Sequence, residues 1–375
     1  NISKLNLDDK KVYSMLSEGQ TIGVFQLESK GMQSALRGLK PDRFEDIIAV
    51  VALYRPGPME NIPNYINRKH GIEEIEYMHE SLSGILSETY GIFIYQEQVM
   101  QAAQVLADYS LASADILRRA MGKKDKKEMD MQKEKFIDGA KKIDIQRSKA
   151  EEIFDQISAF AGYGFNKSHA AAYALIAYQC AWLKAHYPHE FFASLMTYDS
   201  DNVEKLSIFV HELNRMKIKI NPPCINFSFD KFTVEELNDQ KCIRYSLSSL
   251  KNVGNEAVKK MISIRNKIGS FKSFDHFVDV VPQNIFGKRG LESLTISGSF
   301  DNLNIPRNKL FNSISSILIF SQRIENDKLS NQNNLFNDIN ELSLTKSLKN
   351  VAEFSIFENE ENELNSFGFY FKQHP

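Results

Sequence analysis

The chain has 375 residues, of which 42% are hydrophobic and 25% charged. This composition excludes a disordered chain, which lacks the apolar residues to build a core, and the length favours two or three domains over one. With 46 basic and 48 acidic residues the formal net charge is −2, so no whole-chain field attracts nucleic acid, and any such contact has to come from local patches.

No run is apolar enough for a membrane span, and no membrane partner is expected. Cys180, Cys224 and Cys242 are widely spaced, and no signal peptide precedes them, which favours reduced thiols in a cytoplasmic protein over disulfides or a zinc site. The eight histidines are scattered. The chain opens on Asn1 with no targeting pattern and is expected to begin inside a longer polypeptide.

From Leu7 to about Thr197 helical apolar spacing dominates, as in Val99, Ala103 and Leu106, or Leu175, Tyr178 and Trp182. The first break is Tyr54-Arg55-Pro56-Gly57-Pro58, where proline removes donors and restricts the preceding residue, so a rigid turn is expected. Tyr95-Gln96-Glu97-Gln98 opens a helix. Glu97 reads as a structural carboxylate, because no second acid stands at a spacing useful for a metal.

Asp115 to Lys124 carries Arg118, Arg119, Lys123 and Lys124. Arginine offers bidentate donors and lysine a compact charge, which suits a triphosphate or a DNA backbone, although a solvated helix end is an equal reading of the charge alone. Ala161-Gly162-Tyr163-Gly164-Phe165-Asn166-Lys167-Ser168-His169 then runs into an alanine-rich helix. Asn166 or Ser168 can cap that helix, and its first N–H groups together with Lys167 form an anion site, without the spacing of a Walker loop.

Asn221-Pro222-Pro223 marks a boundary. After it, alternation in Ile225–Phe229 and Cys242–Leu247 predicts the two strands of a small hairpin. Residues 247 to 312 return to short helices. Around Leu250–Val258 a helix is expected to turn through Val253 and Gly254 into a second helix bearing Lys259 and Lys260, with backbone N–H groups facing a phosphate. From about Asp327 to Asn350 the chain is rich in Asn, Ser and Lys and reads as a linker. Within it, Gln332, Leu335 and Phe336 are anchors suited to docking in a partner's groove.

Taken together these segments resemble the alpha subunit of bacterial DNA polymerase III, a C-family replicative polymerase. The resemblance rests on Gly23–Met32, Phe44-Glu45-Asp46, Tyr54–Pro58, Tyr90–Met100, the Arg118–Lys124 cluster, Phe160–Ala174 and Trp182–Pro188. It extends to Gly368-Phe369-Tyr370 and His374-Pro375, with Gln373 where the family usually has Gly.

The resemblance implies a mainly α fold: a multi-helix fingers-like region at 1–215, then a helix-hairpin-helix and clamp-binding region with a short β-hairpin at 216–312. A flexible linker with the clamp-binding motif follows at 313–360, and the start of an OB-fold at 361–375.

It also implies a nucleotidyltransferase in which Arg118, Arg119, Lys123 and Lys124, with Asn166, Lys167, Ser168 and His169, contact dNTP or primer-template DNA. Val253, Gly254, Lys259 and Lys260 meet the DNA backbone, and Gln332, Leu335 and Phe336 meet the sliding clamp. Other holoenzyme subunits are further partners. The catalytic Mg2+ ligands are aspartates expected outside this chain, so the chain alone is expected to be inactive. Two rivals are a self-contained nucleotidyltransferase using Asp8, Asp9 or Glu97 for metal, and a non-catalytic helix-hairpin-helix DNA-binding replication accessory protein.

Overall fold

The computed structural model describes residues 1–123, 126–329 and 348–371, which fall into two compact units, Asn1–His186 and Tyr187–Pro375. The first contains α1 (Lys10–Ser17), α2 (Lys30–Leu39), α3 (Phe44–Leu53), α4 (Ile62–Lys69) and α5 (Ser83–Leu86). It continues with α6 (Gln96–Ala107), α7 (Leu111–Lys123), α8 (Lys126–Lys141), α9 (Arg147–Ala161) and α10 (Lys167–His186). The second holds α11 (Pro188–Tyr198), α12 (Val203–Arg215), β1 (Ile220–Asn221), β2 (Thr233–Leu237) and β3 (Gln240–Arg244). After them come α13 (Asn255–Ile268), α14 (Phe274–Val280), α15 (Gly287–Ile296), α16 (Arg307–Leu329) and α17 (Ile356–Phe367). The fold is mainly α with a small sheet, as the resemblance implies.

Two hydrophobic clusters build the first unit. In one, α10 buries Ala170, Ala174, Ala177, Tyr178 and Ala181 along one stripe, and the small side chains let α3 pack closely through Ile47, Val50 and Leu53. In the other, Val99, Ala103 and Leu106 of α6 meet Leu117, Phe136, Ile137 and Phe154 of α7, α8 and α9. Here α8 crosses so closely that a Cβ on Gly139 would lie 2.0 Å from the Ala107 carbonyl oxygen, which leaves room for nothing larger than glycine. The extended segment before α6 serves both clusters. Ile92 and Ile94 enter the first and Phe93 the second, the period-two alternation of a strand.

A buried ionic group ties α3 and α4 together. Asp46 is fully buried and paired with Lys69 and Arg43, and Lys69 also reaches Asp42 at 2.6 Å. Burial alone would lower the Lys69 pKa, but hydrogen bonds to Asp42 and Asp46 raise it, while Lys69 holds Asp42 below its ordinary value.

In the second unit the sheet has the order β1-β3-β2, with β1 parallel and β2 antiparallel to β3. Asn238 and Asp239 join β2 to β3 with φ of 51° and 60°, the left-handed pair of a tight two-residue hairpin turn. The hairpin therefore exists, but its first strand is Thr233–Leu237 and not Ile225–Phe229. Residues 224–228 instead close a turn. The Ser228 N–H donates to the Cys224 carbonyl at 2.8 Å, and the buried Arg265 guanidinium donates to the carbonyls of Ile225 and Ser228, each at 2.8 Å.

Residues before Gly254 form consecutive turns where a helix was expected, so the element leading into α13 is a loop held by a bond from the Lys251 N–H to the Ser366 carbonyl, 2.9 Å. Helices α11 and α12 belong to the second unit although the helical region was expected to run to 215, because Phe192 packs on Phe209 and α11 lies on β2 and β3. Of the 313–360 stretch, residues to Leu329 continue α16, which buries Ile314 and Ile317, and α17 begins at Ile356 and runs on to Phe367. Gln332, Leu335, Phe336, Lys124, Gln373, His374 and Pro375 lie outside the described residues.

All three cysteines are free thiols, with Cys224 and Cys242 buried. Among the described residues no helix is long and apolar enough to cross a membrane.

Removing one member of a buried ionic group strands its partners' charge. Asp46→Ala should therefore lower unfolding stability by about 3–5 kcal/mol in urea denaturation. A loss below about 1 kcal/mol would show that Lys69 and Arg43 find other partners.

Candidate functional site

Within the first unit the motifs singled out from the sequence converge on the start of α10. Tyr95 and Phe165 form an isolated parallel bridge: the Gln96 N–H donates to the Phe165 carbonyl at 2.9 Å, and the Phe165 N–H to the Ile94 carbonyl at 3.0 Å. Gln98, the third residue of α6, reaches back and accepts from the N–H groups of Ile94 and Tyr95 at 2.9 and 3.0 Å. The turn at residues 162–166 is thereby fastened across the front of α6.

The Tyr54–Pro58 turn supports the same place from beneath. Arg55 donates to the Tyr163 carbonyl and, at 2.8 Å, to the Ala52 carbonyl, and its guanidinium lies 4.4 Å from the Phe165 ring centroid. Burial pushes Arg55 below its ordinary pKa. Gly57 has φ 98°, and a Cβ there would meet the Tyr163 ring at 2.7 Å, so both the backbone and the neighbouring ring require glycine. Arg55 thus acts as scaffold in this arrangement.

Two glutamates hold the α10 terminus. Glu97 accepts from the Asn166 amide at 2.9 Å and from the Lys167 backbone N–H at 3.0 Å. Asn166 in turn caps the helix, its side-chain oxygen accepting from the His169 N–H at 2.8 Å. Glu88 takes the Lys167 ammonium at 2.7 Å, and that ammonium lies 5.3 Å from the Tyr95 ring centroid. The Tyr95 phenol is raised by burial and then by the Glu88 charge, so it stays protonated. Its hydroxyl and the second Glu88 oxygen are buried without a partner among the described residues.

On α7, Arg118 donates to Asp115 at 2.7 and 3.0 Å and to the Gln96 side chain at 3.1 Å, while Arg119 lies 3.0 Å from the other Asp115 oxygen. Gln96 thus links the α7 cations to the bridge beside α10. Arg119 and Ser168 are exposed, and the His169 ring lies 4.3 Å from the Tyr173 ring. Lys123 closes α7.

Asn166, Lys167, His169 and Arg118 are thus brought to one surface, framed by Gln96, Glu97 and Glu88. Sequence reading missed Glu88, whose partner is 79 residues away. Of the carboxylates weighed for metal, Asp9 caps α1 and lies 2.8 Å from His186, and Glu97 is occupied as described. No cluster of three or more metal-ligating side chains occurs among the described residues.

In the second unit Gly254 is the N-cap of α13, and no atom lies within 4 Å of where its Cβ would stand. It borders a cavity of about 450 Å³ lined in part by Asp201, Ser249, Lys251 and Val253. The buried Ser249 hydroxyl has no partner among the described residues. Lys259 lies 3.0 Å from Glu256, and Lys260 is exposed.

The described geometry has counterparts in known proteins. A family profile described as the bacterial DNA polymerase III alpha subunit finger domain matches residues 1–144, and a helix-hairpin-helix motif profile matches 217–310. DNA polymerase III subunit alpha of Escherichia coli K12 is 49% identical over 324 residues, covering 84% of this chain and 28% of its own length. The corresponding Campylobacter jejuni protein is 42% identical over 376 residues, covering 99% of this chain and 31% of its own. The Buchnera aphidicola protein is 45% identical over 386 residues, covering all of this chain and 33% of its own. The chain therefore spans about a third of the length of the curated relatives it matches.

The hydrogen bond from Arg118 holds the Asp115 carboxyl below its ordinary value of 3.8. A depressed carboxylate contributes above the ordinary range and is lost as pH falls through its folded midpoint. An NMR titration should therefore place the Asp115 midpoint below 3.8, and Arg118→Ala should return it toward that value. An unchanged midpoint in the variant would show that the fork does not persist in solution.

Proposed function

Because the chain belongs to the bacterial DNA polymerase III alpha-subunit family, we propose that it supplies the nucleotide- and DNA-handling parts of a replicative DNA polymerase. Its first unit is the fingers-like part, which neutralises the triphosphate of an incoming dNTP and steadies primer-template DNA. The observation that supports this most is the convergence of Arg118 with Asn166, Lys167 and His169 on one surface, fixed by Gln96 and Glu97.

Arg118 and Arg119 offer planar forks suited to phosphate oxygens, and Lys167 offers a point charge at a helix N-terminus. Lys123, Lys124 and Ser168 are assigned to the same cleft from the family motif. Carboxylates orient these cations without removing them from solvent, which favours a ligand of higher charge density than the glutamates themselves.

Phosphoryl transfer to a primer 3′ hydroxyl uses Mg2+ to stabilise the charge that develops. The described residues do not offer a donor set for it, since Asp9 and Glu97 are engaged in caps. On the family resemblance, the ions belong to aspartates outside this chain.

The second unit is proposed to hold the DNA backbone, independent of sequence, through the start of α13 at Gly254 with Lys259 and Lys260. The Val253 N–H, expected to share this role, donates to the Leu250 carbonyl at 3.2 Å. Gln332, Leu335 and Phe336 are proposed as the sliding-clamp contact, residues 361–375 as the start of an OB-fold, and the protein as a cytoplasmic component of a larger replication assembly.

Primer extension in magnesium tests the reading. The 375-residue chain should be inactive and the full-length protein active. Arg118→Ala with Arg119→Ala in the full-length protein should raise the dNTP KM roughly tenfold or more without unfolding it. Unchanged KM rejects the cation assignment, and activity of the short chain points to an accessible metal site within it. Gln332→Ala with Phe336→Ala should abolish clamp binding in surface plasmon resonance and leave DNA affinity unchanged. Equal clamp affinity in variant and parent rejects that contact.

A further inference from the structure

We infer that Glu88 is the positioning residue for Lys167, holding its ammonium at the start of α10 so that the remaining N–H groups face the phosphates of an incoming nucleotide. This rests on the reading of Lys167 as a phosphate contact.

Glu88 Oε2 lies 2.7 Å from the ammonium, and the two side chains are 32% and 37% exposed, so the pair is shielded yet still reached by solvent. An ammonium has three donors, and Glu88 occupies one of them. A lysine stem samples many rotamers when free. A side chain held in place before the ligand arrives does not lose that freedom on binding.

Glu88 is itself firmly placed. Its carbonyl accepts from Arg43 at 2.9 Å, and Arg43 is anchored in turn on Asp46. The next residue, Thr89, is buried, donating to the Ile92 carbonyl at 2.6 Å and accepting from Gln98 at 2.8 Å. Gln98 also holds the Tyr95 N–H, so the carboxylate and the ring that flank Lys167 share one frame.

The second Glu88 oxygen sets this residue apart. It is buried with no partner among the described residues, as is the Tyr95 hydroxyl. A carboxylate that served the fold alone would satisfy both oxygens, as Glu97 does with Asn166 and the Lys167 N–H. Glu88 directs its charge at one cation with no competing donor. Glu97 fixes the helix start, and Glu88 fixes the side chain that projects from it.

The test is steady-state primer extension by the full-length protein carrying Glu88→Gln, Lys167→Met or both, with thermal unfolding run alongside each. Glu88→Gln keeps the shape and removes the charge. It should raise the dNTP KM about threefold to tenfold with kcat within about twofold, and the double variant should be no worse than Lys167→Met alone.

If Glu88→Gln adds its full effect in the Lys167→Met background, Glu88 acts through the fold and the inference is overturned. Unchanged KM in Glu88→Gln, or a lowered one showing that Glu88 withholds the ammonium, overturns it as well. If Lys167→Met itself leaves KM unchanged, the phosphate-contact reading fails, and this inference fails with it.

Discussion

The first unit depends on one extended segment that serves two cores at once. Ile92 and Ile94 face the cluster of α1 to α4 and α10, while Phe93 faces that of α6 to α9. A one-residue slip would exchange the two faces and empty both clusters, so packing fixes the register of this segment strongly. Its far end bridges Tyr95 to Phe165, and the turn ahead of α10 therefore inherits that register. Everything proposed for Asn166 and Lys167 stands on this inheritance, because neither residue is held by the helix that follows it alone.

The polar groups at this surface are paired but not neutralised out of reach. Arg118 has donors engaged by Asp115 and Gln96, Lys167 by Glu88, and the α10 terminus by Glu97 and Asn166. Exposed pairs of this kind contribute little to stability. Their effect is to narrow the positions that long cationic side chains adopt, which lessens what a ligand must order on binding. The buried Asp46 group works differently. Asp46 and Lys69 lie away from solvent, and the Asp46 carboxylate is shared among Lys69, the partly exposed Arg43 and the Tyr65 hydroxyl, joining α3, α4 and the Glu88–Tyr90 segment into one support.

That α10 is a helix and that Tyr54–Pro58 is a turn were legible in the sequence, since spacing and proline chemistry act locally. The buried face of α10 was not: of Leu175, Tyr178 and Trp182 only Tyr178 is fully buried, beside the small Ala170, Ala174, Ala177 and Ala181, while Leu175 is exposed. The segment 225–229 misled because its alternation of apolar residues is that of a strand. Its backbone carbonyls are instead taken by the buried Arg265, forty residues on from Ile225, and both Phe227 and Phe229 remain exposed. Helix α16 was assigned to the linker from residue 313 because of the Asn- and Ser-rich stretch beyond it, although Leu310, Ile314 and Ile317 stand at helical spacing and are buried. Glu88 had no local signal at all. An acid in a short polar turn becomes informative only when the fold brings Lys167 against it.

The second unit bears on the weak overall charge. A chain with net charge −2 has no general attraction for DNA. The N-terminus of a helix, however, presents backbone donors and a positive dipole end whatever the side-chain tally. Gly254 leaves the approach to α13 open, and Arg265, buried in the same helix, ties it to the turn at 224–228. Arg265 is used internally to fix the helix in place, which leaves the helix start and the exposed Lys259 and Lys260 for the sequence-independent contact proposed for this unit.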